Sequence, residues 1–493
     1  MGTRPTSLCR PGHRTRPART YDALYNHEKN RALSPAGRWS PIERSGAPRK
    51  AALESGDGKR ETPPAVNIEL INTGTELILG RVLNTHQQWI CRQLADVGYV
   101  VTRQSTVPDS AHELQQAVRA ALSHADLVIT TGGLGPTSDD LTRDLIAELL
   151  GRKLIEDSAA LANVERFFAL RQRPMPERTR VQAQVPEGAI LVHNRNGTAP
   201  GLALEANPNP FRHDGKTSWL VMLPGPPREL QPMFTDQVIP RIQQWFPLES
   251  PFVCHTLRTT GLGESLVEEQ IVDPLRTLTD AGLEIGYCAR TGEVDVRLAA
   301  RGSGAGKIVA EAQQIVRRLL GDHIFGAGDD QLEAVVVRLL TGRKQTLALA
   351  ESCTGGYLAN RITNVPGASA VLLAGLVPYS NEAKQTFLGV RADSLAAHGA
   401  VSEPVAREMA EGARRRTGAD YALSVTGIAG PGGGTPDKPV GTVFIALAGE
   451  RHTFVLNPIN RYDRETFKYV TSQQALELLR RTLLNSTWRI HNR

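Results

Sequence analysis

Three stretches in the last third of the chain end an apolar run in hydroxyl or glycine residues. Thr346-Leu-Ala-Leu-Ala-Glu-Ser-Cys-Thr-Gly-Gly356 precedes Leu358 and Ile362 at helical spacing, Val377-Pro-Tyr-Ser-Asn-Glu-Ala-Lys384 leads into a second helix, and Ser424-Val-Thr-Gly-Ile-Ala-Gly-Pro-Gly-Gly-Gly434 is a third strand end. A strand-to-helix turn carries side chains and free backbone N–H groups to the carboxyl edge of a sheet, where α/β proteins bind ligands. Ser352 is therefore a candidate nucleophile, and a serine hydroxyl at neutral pH needs a base. No His-Asp pair stands in a recognisable relation to it. Lys384, in the first turn of its helix, is the nearer candidate, because the positive helix end favours the neutral amine a base requires. Plainer readings stand beside these. Ser352 alone is a helix cap, Lys384 alone a solvated charge, and Cys353 either a rival nucleophile or a buried thiol. The glycine-rich loop suits close approach to a phosphate, although no GxxxxGK[ST] motif occurs anywhere.

Two further loops follow strand-like runs nearer the N-terminus: Asn72-Thr-Gly-Thr-Glu-Leu77 and Thr131-Gly-Gly-Leu-Gly-Pro-Thr-Ser-Asp-Asp-Leu-Thr142. The second has the form of a phosphate loop, with Gly132, Gly133 and Gly135 for backbone approach, the Thr137 hydroxyl as a donor, and a helix start ahead of Leu141. Asp139 and Asp140 offer hard oxygens for a divalent cation held against a diphosphate. Equally, they cap the helix and favour its dipole.

The elements that must position these loops alternate. Strand VNIELIN (66–72), a helix through Ile90, Leu94 and Val97 behind Asn84, strand VVTRQST, a helix through Leu114, Val118 and Leu122, then DLVITT predict a mostly parallel sheet with helices on its faces. From about Pro251 the order becomes strand, helix over Glu264–Leu278, two strands, helix and strand, a small α+β unit. Alternation returns near Gln331. The expected division is 1–64, a disordered basic extension; 65–248, a three-layer α/β domain; 249–328, the small α+β unit; and 329–493, a second α/β domain.

Charge follows that division. The 493 residues carry a net charge of +6, but 1–64 alone hold 13 Lys and Arg against 6 Asp and Glu, leaving 44 against 45 in the remainder. A balanced body argues against direct nucleic-acid contact, which needs clustered cations facing phosphates. No apolar run reaches the ~20 residues of a membrane helix, and no signal peptide is evident, so a cytoplasmic protein without a membrane role is expected. Five scattered cysteines form no CxxC pair and indicate neither a disulfide framework nor a zinc ribbon.

AESCTGG (350–356), YSNEAK (379–384), HGAVSEPVA (398–406), TGIAGPGGG (426–434) and KPVGTV (438–443) closely resemble the C-terminal domain of the CinA family, the nicotinamide-nucleotide amidases. The resemblance implies hydrolysis of the carboxamide of nicotinamide mononucleotide to nicotinic acid mononucleotide and ammonia. It implies Ser352 as nucleophile, Lys384 as its base and Tyr379 as a hydroxyl that positions or relays the proton. Thr426, Gly427 and Arg464 are then ligand-binding positions, with Arg464 a phosphate clamp. N–H groups around Cys353, Thr354, Gly355 and Gly356 suit the oxyanion, and no cofactor is required for this reaction.

GTELILGRVLNTHQQW, TGGLGPTSDDLTRD, NGTAPGL (196–202) and LPGPPREL (223–230) are similar to the molybdopterin-binding-type domain of full-length CinA proteins. That likeness implies cation-dependent ADP-ribose pyrophosphatase activity, with Glu76, Asp109, Asp139 and Asp140 as the acids and the last two as metal ligands. Pro226 departs from the family pattern, which has an aliphatic residue more commonly there. The whole chain is thus expected to be a homo-oligomeric enzyme acting on small nucleotides. The alternatives are a molybdopterin-binding or molybdenum-cofactor protein, and a non-enzymatic competence or DNA-damage accessory factor.

Overall fold

A computed structural model describes residues 66–484; the expectation for 1–64 lies outside the described residues. The N-terminal unit contains β1 (Ile68–Thr73), β2 (Val101–Val107), β3 (Leu127–Thr131), a short ribbon of β4 (Leu154–Glu156) and β5 (Gln184–Pro186), and then β6 (Ile190–Val192), β7 (Gly201–Ala206) and β8 (Ser218–Leu223). Its main sheet has the order β2-β1-β3-β8-β7-β6, parallel through β8 and antiparallel beyond it. All six residues of β1 are buried, as a strand covered on both faces requires. Ile71, Val128 and Met222 pack on one face against Leu114, Val118 and Ile146, while Ile68, Ile129 and Val221 pack on the other against Ile90, Leu94 and Phe234. Two cores on opposite faces make three layers.

The middle unit comprises β9 (Phe252–Thr260), β10 (Glu284–Arg290), β11 (Glu293–Arg301) and β12 (Ile324–Ala327), antiparallel in the order β10-β11-β9-β12, with the helix Ala305–Leu320 against it. The single helix expected over 264–278 is instead Glu264–Ile271 and Arg276–Asp280. Pro274 separates them, since it has no N–H to donate and disfavours helical geometry at Asp273.

In the C-terminal unit β13 (Leu347–Glu351), β14 (Leu372–Leu376), β15 (Tyr421–Gly427), β16 (Val443–Ala448) and β17 (Thr453–Leu456) are ordered β14-β13-β15-β16-β17. Only the first three are parallel. The Leu-Ala-Leu-Ala alternation of β13 sorts its faces by size. Leu347 and Leu349 meet the large core under the helices Leu332–Arg343 and Arg464–Leu483, and Ala348 and Ala350 let the helix Glu403–Thr417 come close on the other face. In both α/β units the chain leaves the central strand towards one neighbour and returns on its other side. The crevice this opens lies at the carboxyl ends of β1 and β3, and again of β13 and β15. Among the described residues no helix is long and apolar enough to cross a membrane.

Candidate active site in the C-terminal unit

Ser352 follows β13 directly, and its N–H donates to the Val425 carbonyl of β15 (2.9 Å), which seats it in the crevice. Gly355 (φ 62°) and Gly356 (φ 91°) then turn the chain through left-handed backbone into the short helix Tyr357–Thr363, a path that side chains disfavour. Lys384 comes from the helix Asn381–Leu388, whose N-cap Ser380 accepts from Ala383 N–H. Its Nζ lies 3.1 Å from Ser352 Oγ, 3.0 Å from the Pro378 carbonyl and 3.1 Å from the Tyr379 carbonyl. The side chain is 1% exposed, and burial pushes its pKa below the usual lysine value. The sequence places that lowering on the helix terminus; in the structure burial is its cause, and the solvated-charge reading fails. A neutral amine has two N–H bonds and one lone pair. The two carbonyls take the N–H bonds, which leaves the lone pair for Ser352 Oγ.

Cys353 is 6% exposed, and burial pushes its thiol up to about 12, which makes it an inert core residue. Of the four amides expected to serve an oxyanion, two are committed: Gly355 N–H donates to the Ser352 carbonyl (3.1 Å) and Gly356 N–H to Glu351 (3.1 Å). Among the described residues, the Cys353 and Thr354 N–H groups make no backbone hydrogen bond to another residue. Glu351, a residue sequence reasoning passed over, is 1% exposed and also accepts from Leu358 N–H (3.0 Å) and Ala359 N–H (2.8 Å), so its carboxylate holds the start of the helix that follows the nucleophile. Its distance along the chain from those amides differs from the two- or three-residue spacing of an ordinary cap, so the sequence gives no signal for it. Glu351→Ala is expected to lower stability by about 2 kcal/mol, measured as an earlier urea midpoint.

Other expected positions take different parts. The Tyr379 hydroxyl, on a side chain 60% exposed, accepts from Arg464 Nη2 (2.9 Å) and makes no hydrogen bond to Ser352 or Lys384. Its carbonyl, and not its hydroxyl, touches the lysine. Arg464 opens the helix Arg464–Leu483 and donates from Nη1 to Gly430 (2.9 Å), tying the glycine-rich loop to Tyr379 at the rim of the crevice. The buried Thr426 hydroxyl donates to the Ala400 carbonyl (2.8 Å), and a Cβ at Gly427 would stand 2.8 Å from the Thr442 carbonyl. The Thr426 hydroxyl is thus committed within the chain, and the close Thr442 carbonyl leaves no room for a side chain at Gly427.

In the N-terminal unit Gly132 (φ 98°) and Gly133 (φ 69°) turn the chain sharply after β3. Gly132 N–H donates to the Leu223 carbonyl at the end of β8, and the Thr131 hydroxyl donates to Asn72 (2.9 Å), so the carboxyl ends of β1, β3 and β8 are tied together at the crevice. Asp140 accepts from Thr137 N–H (2.9 Å) and from the Thr137 hydroxyl, and packs against Gly135. It closes its own loop, and the following helix starts only at Thr142, so the helix-cap reading fails for it. Asp109 likewise accepts from Thr75 N–H (2.8 Å). Asp139 is exposed, and the Thr137 hydroxyl holds its carboxyl below the usual range. Glu76 is exposed and folds back over Gly74. Sequence reasoning missed His86, whose Nε2 meets the Gly225 carbonyl and whose pKa burial lowers. Among the described residues no three His, Cys, Asp or Glu side chains gather as a metal cage.

Fold and site together define a three-unit α/β protein with a Ser–Lys centre at one sheet edge and a glycine-rich acidic loop at another. Family models agree along its length: "CinA C-terminal domain" matches 329–483, "Probable molybdopterin binding domain" 69–244, and "Damage-inducible protein CinA KH domain" 254–326. A protein of Moorella thermoacetica named as competence-damage inducible is 44% identical over 418 residues, which is 84% of this chain and 98% of that one. A CinA-like protein of Akkermansia muciniphila is 42% identical over 83% of this chain and 96% of its own length. The crystal structure of the competence damage-inducible protein A of Klebsiella pneumoniae is 40% identical, covering 31% of this chain and 95% of that one at a TM-score of 0.31. The chain belongs to the CinA family.

Proposed function

We propose that the C-terminal unit hydrolyses the carboxamide of nicotinamide mononucleotide, giving nicotinic acid mononucleotide and ammonia. One observation carries this reading: a buried lysine amine 3.1 Å from the hydroxyl of Ser352, with its other two directions taken by carbonyls. In the reaction Ser352 Oγ attacks the carboxamide carbon while Lys384 Nζ takes the hydroxyl proton. The amine returns that proton to the departing nitrogen, ammonia leaves, and an ester remains on Ser352. Water activated by the same amine then cleaves the ester and restores the hydroxyl. The N–H groups of Cys353 and Thr354 receive the developing oxyanion. Arg464 has five donors, of which two are committed to Gly430 and Tyr379, leaving the others to meet a nucleotide phosphate. Arg464→Ala is expected to raise KM for the mononucleotide about tenfold, with kcat within about threefold, because a charge-assisted hydrogen bond is worth about 1.5–3 kcal/mol.

A second reading concerns the N-terminal unit, which we propose cleaves the diphosphate of ADP-ribose with a divalent cation. It is favoured by the exposed, readily ionised Asp139 beside a left-handed Gly132-Gly133 turn at a topological switch point. Asp140 closes its own loop and Asp109 ties the loop after β2 to Thr75 after β1, so the donor set fits a cation held by one or two carboxylates and completed by substrate phosphates, not an all-protein cage. The protein as a whole is proposed to be a cytoplasmic homo-oligomer. Incubation with each nucleotide, with and without chelator, tests both readings: ammonia release should survive chelation and ADP-ribose cleavage should not. No cleavage of ADP-ribose with added metal would leave molybdopterin binding as the reading for this unit. Absence of both activities would favour an accessory factor.

A further inference from the structure

The middle unit supplies none of the site side chains described above, and its composition is unlike a nucleic-acid surface: over 252–327 eight Lys and Arg stand against ten Asp and Glu, and no Gly-X-X-Gly occurs. It does carry a buried ionic cluster that reaches into the C-terminal unit. Arg258 on β9, 1% exposed, donates to Glu293 (2.5 Å) and Asp295 (3.1 Å) on β11. The other Glu293 oxygen accepts from the Gln473 amide, which is buried in the helix Arg464–Leu483. Gln473 Oε1 in turn accepts from Arg361 Nη2 (2.7 Å), and Arg361 also donates to Ser472 (2.8 Å) and Glu333 (2.6 Å).

Arg361 belongs to Tyr357–Thr363, the helix that begins at the candidate catalytic turn. So short a helix is marginal alone, and its position is set by what holds its two ends. Glu351 holds the first and the Arg361 cluster the second. We propose that the middle unit positions the Ser352–Gly356 turn through Glu293, Gln473 and Arg361, which act as positioning residues for amide hydrolysis. The inference rests on the amidase reading. Misplacing reacting groups by about 1 Å can slow a reaction about 10²-fold, so a link this remote suffices to govern the rate.

The chain of bonds has a direction that can be reversed. Gln473 accepts at one end and donates at the other; in the double variant E293Q/Q473E the amide at 293 donates to the carboxylate at 473. The amide oxygen at 293 still accepts from Arg258, and the carboxylate at 473 still accepts from Arg361. The test uses the full chain and two readouts: kcat and KM on nicotinamide mononucleotide, and the rate at which a fluorophosphonate labels Ser352, which needs no nucleotide. Gln473→Leu should lower kcat and the labelling rate about tenfold with KM within about twofold. The midpoint of its pH–rate profile should not move, since Lys384 sits on another helix. E293Q/Q473E should recover to within about threefold of wild type. Wild-type rates in folded Gln473→Leu, or a double variant no faster than it, would overturn the proposal. Where Gln473→Leu does not fold, Gln473→Glu alone replaces it: this variant opposes two carboxylates and must react more slowly than the double variant. If the wild type releases no ammonia, the amidase reading fails, while labelling still judges the inference.

Discussion

Ser352→Ala should abolish ammonia release from nicotinamide mononucleotide, by at least about 10³-fold in kcat, while Cys353→Ala stays within about tenfold of wild type. The two residues are neighbours in sequence but chemically far apart. With its thiol pushed up to about 12, Cys353 presents on the order of 10⁻⁵ of its population as thiolate near neutral pH. Ser352 alone of the two meets the amine. The comparison is clean because the serine change should barely disturb the fold: Lys384 keeps its bonds to the Pro378 and Tyr379 carbonyls, and an alanine methyl fits where the hydroxymethyl stood. Urea unfolding should place Ser352→Ala within about 1 kcal/mol of wild type. Full activity in Ser352→Ala together with loss in Cys353→Ala would sink the serine assignment.

The turn that holds Ser352 was legible because its determinants are local. An apolar strand, two glycines and a helix-spaced Leu358 and Ile362 announce a strand-to-helix turn in any context, and Gly355 and Gly356 do adopt the left-handed backbone. Long-range partners were not legible. Arg464 finds Gly430 and the Tyr379 hydroxyl across 34 and 85 residues of chain, and no local pattern tells a rim arginine which hydroxyl it will meet. Tyr379 shows the consequence: the family pattern marks the residue, yet its carbonyl makes the contact assigned to its hydroxyl. Asp140 illustrates the opposite limit. Its spacing fits a cap, a cation ligand or a loop closure equally, and only coordinates separate them. The Glu293–Gln473 link lies beyond any sequence argument, because its two halves come from different units.

The second large effect is in the pH dependence. If the neutral form of Lys384 is the base, the rate follows the deprotonated fraction: it rises about tenfold per pH unit below the lysine's pKa and levels above it. Burial lowers that pKa from 10.5, so the midpoint should lie below 10.5. The same burial has a thermodynamic signature of defined sign. Between the folded pKa and 10.5 the unfolded chain binds the proton more readily than the folded one, so stability rises with pH across that window by about 1.4 kcal/mol per pH unit. Below the folded pKa the penalty for burying the cation is fully present. Lys384→Met carries no such proton. It should lose about 10²- to 10⁴-fold in kcat. Its stability relative to wild type should be greatest at neutral pH and decline as pH approaches 10.5, as read from urea unfolding at several pH values. A rate that falls with rising pH, or a Lys384→Met variant that hydrolyses the carboxamide at the wild-type rate, would remove the lysine from the mechanism. A pH-independent stability difference would mean that Lys384 is not buried as a titrating amine. The residue that equips the site for chemistry is thus expected to weaken the fold at the pH where the protein works, a conflict that marks a functional lysine and not a structural one.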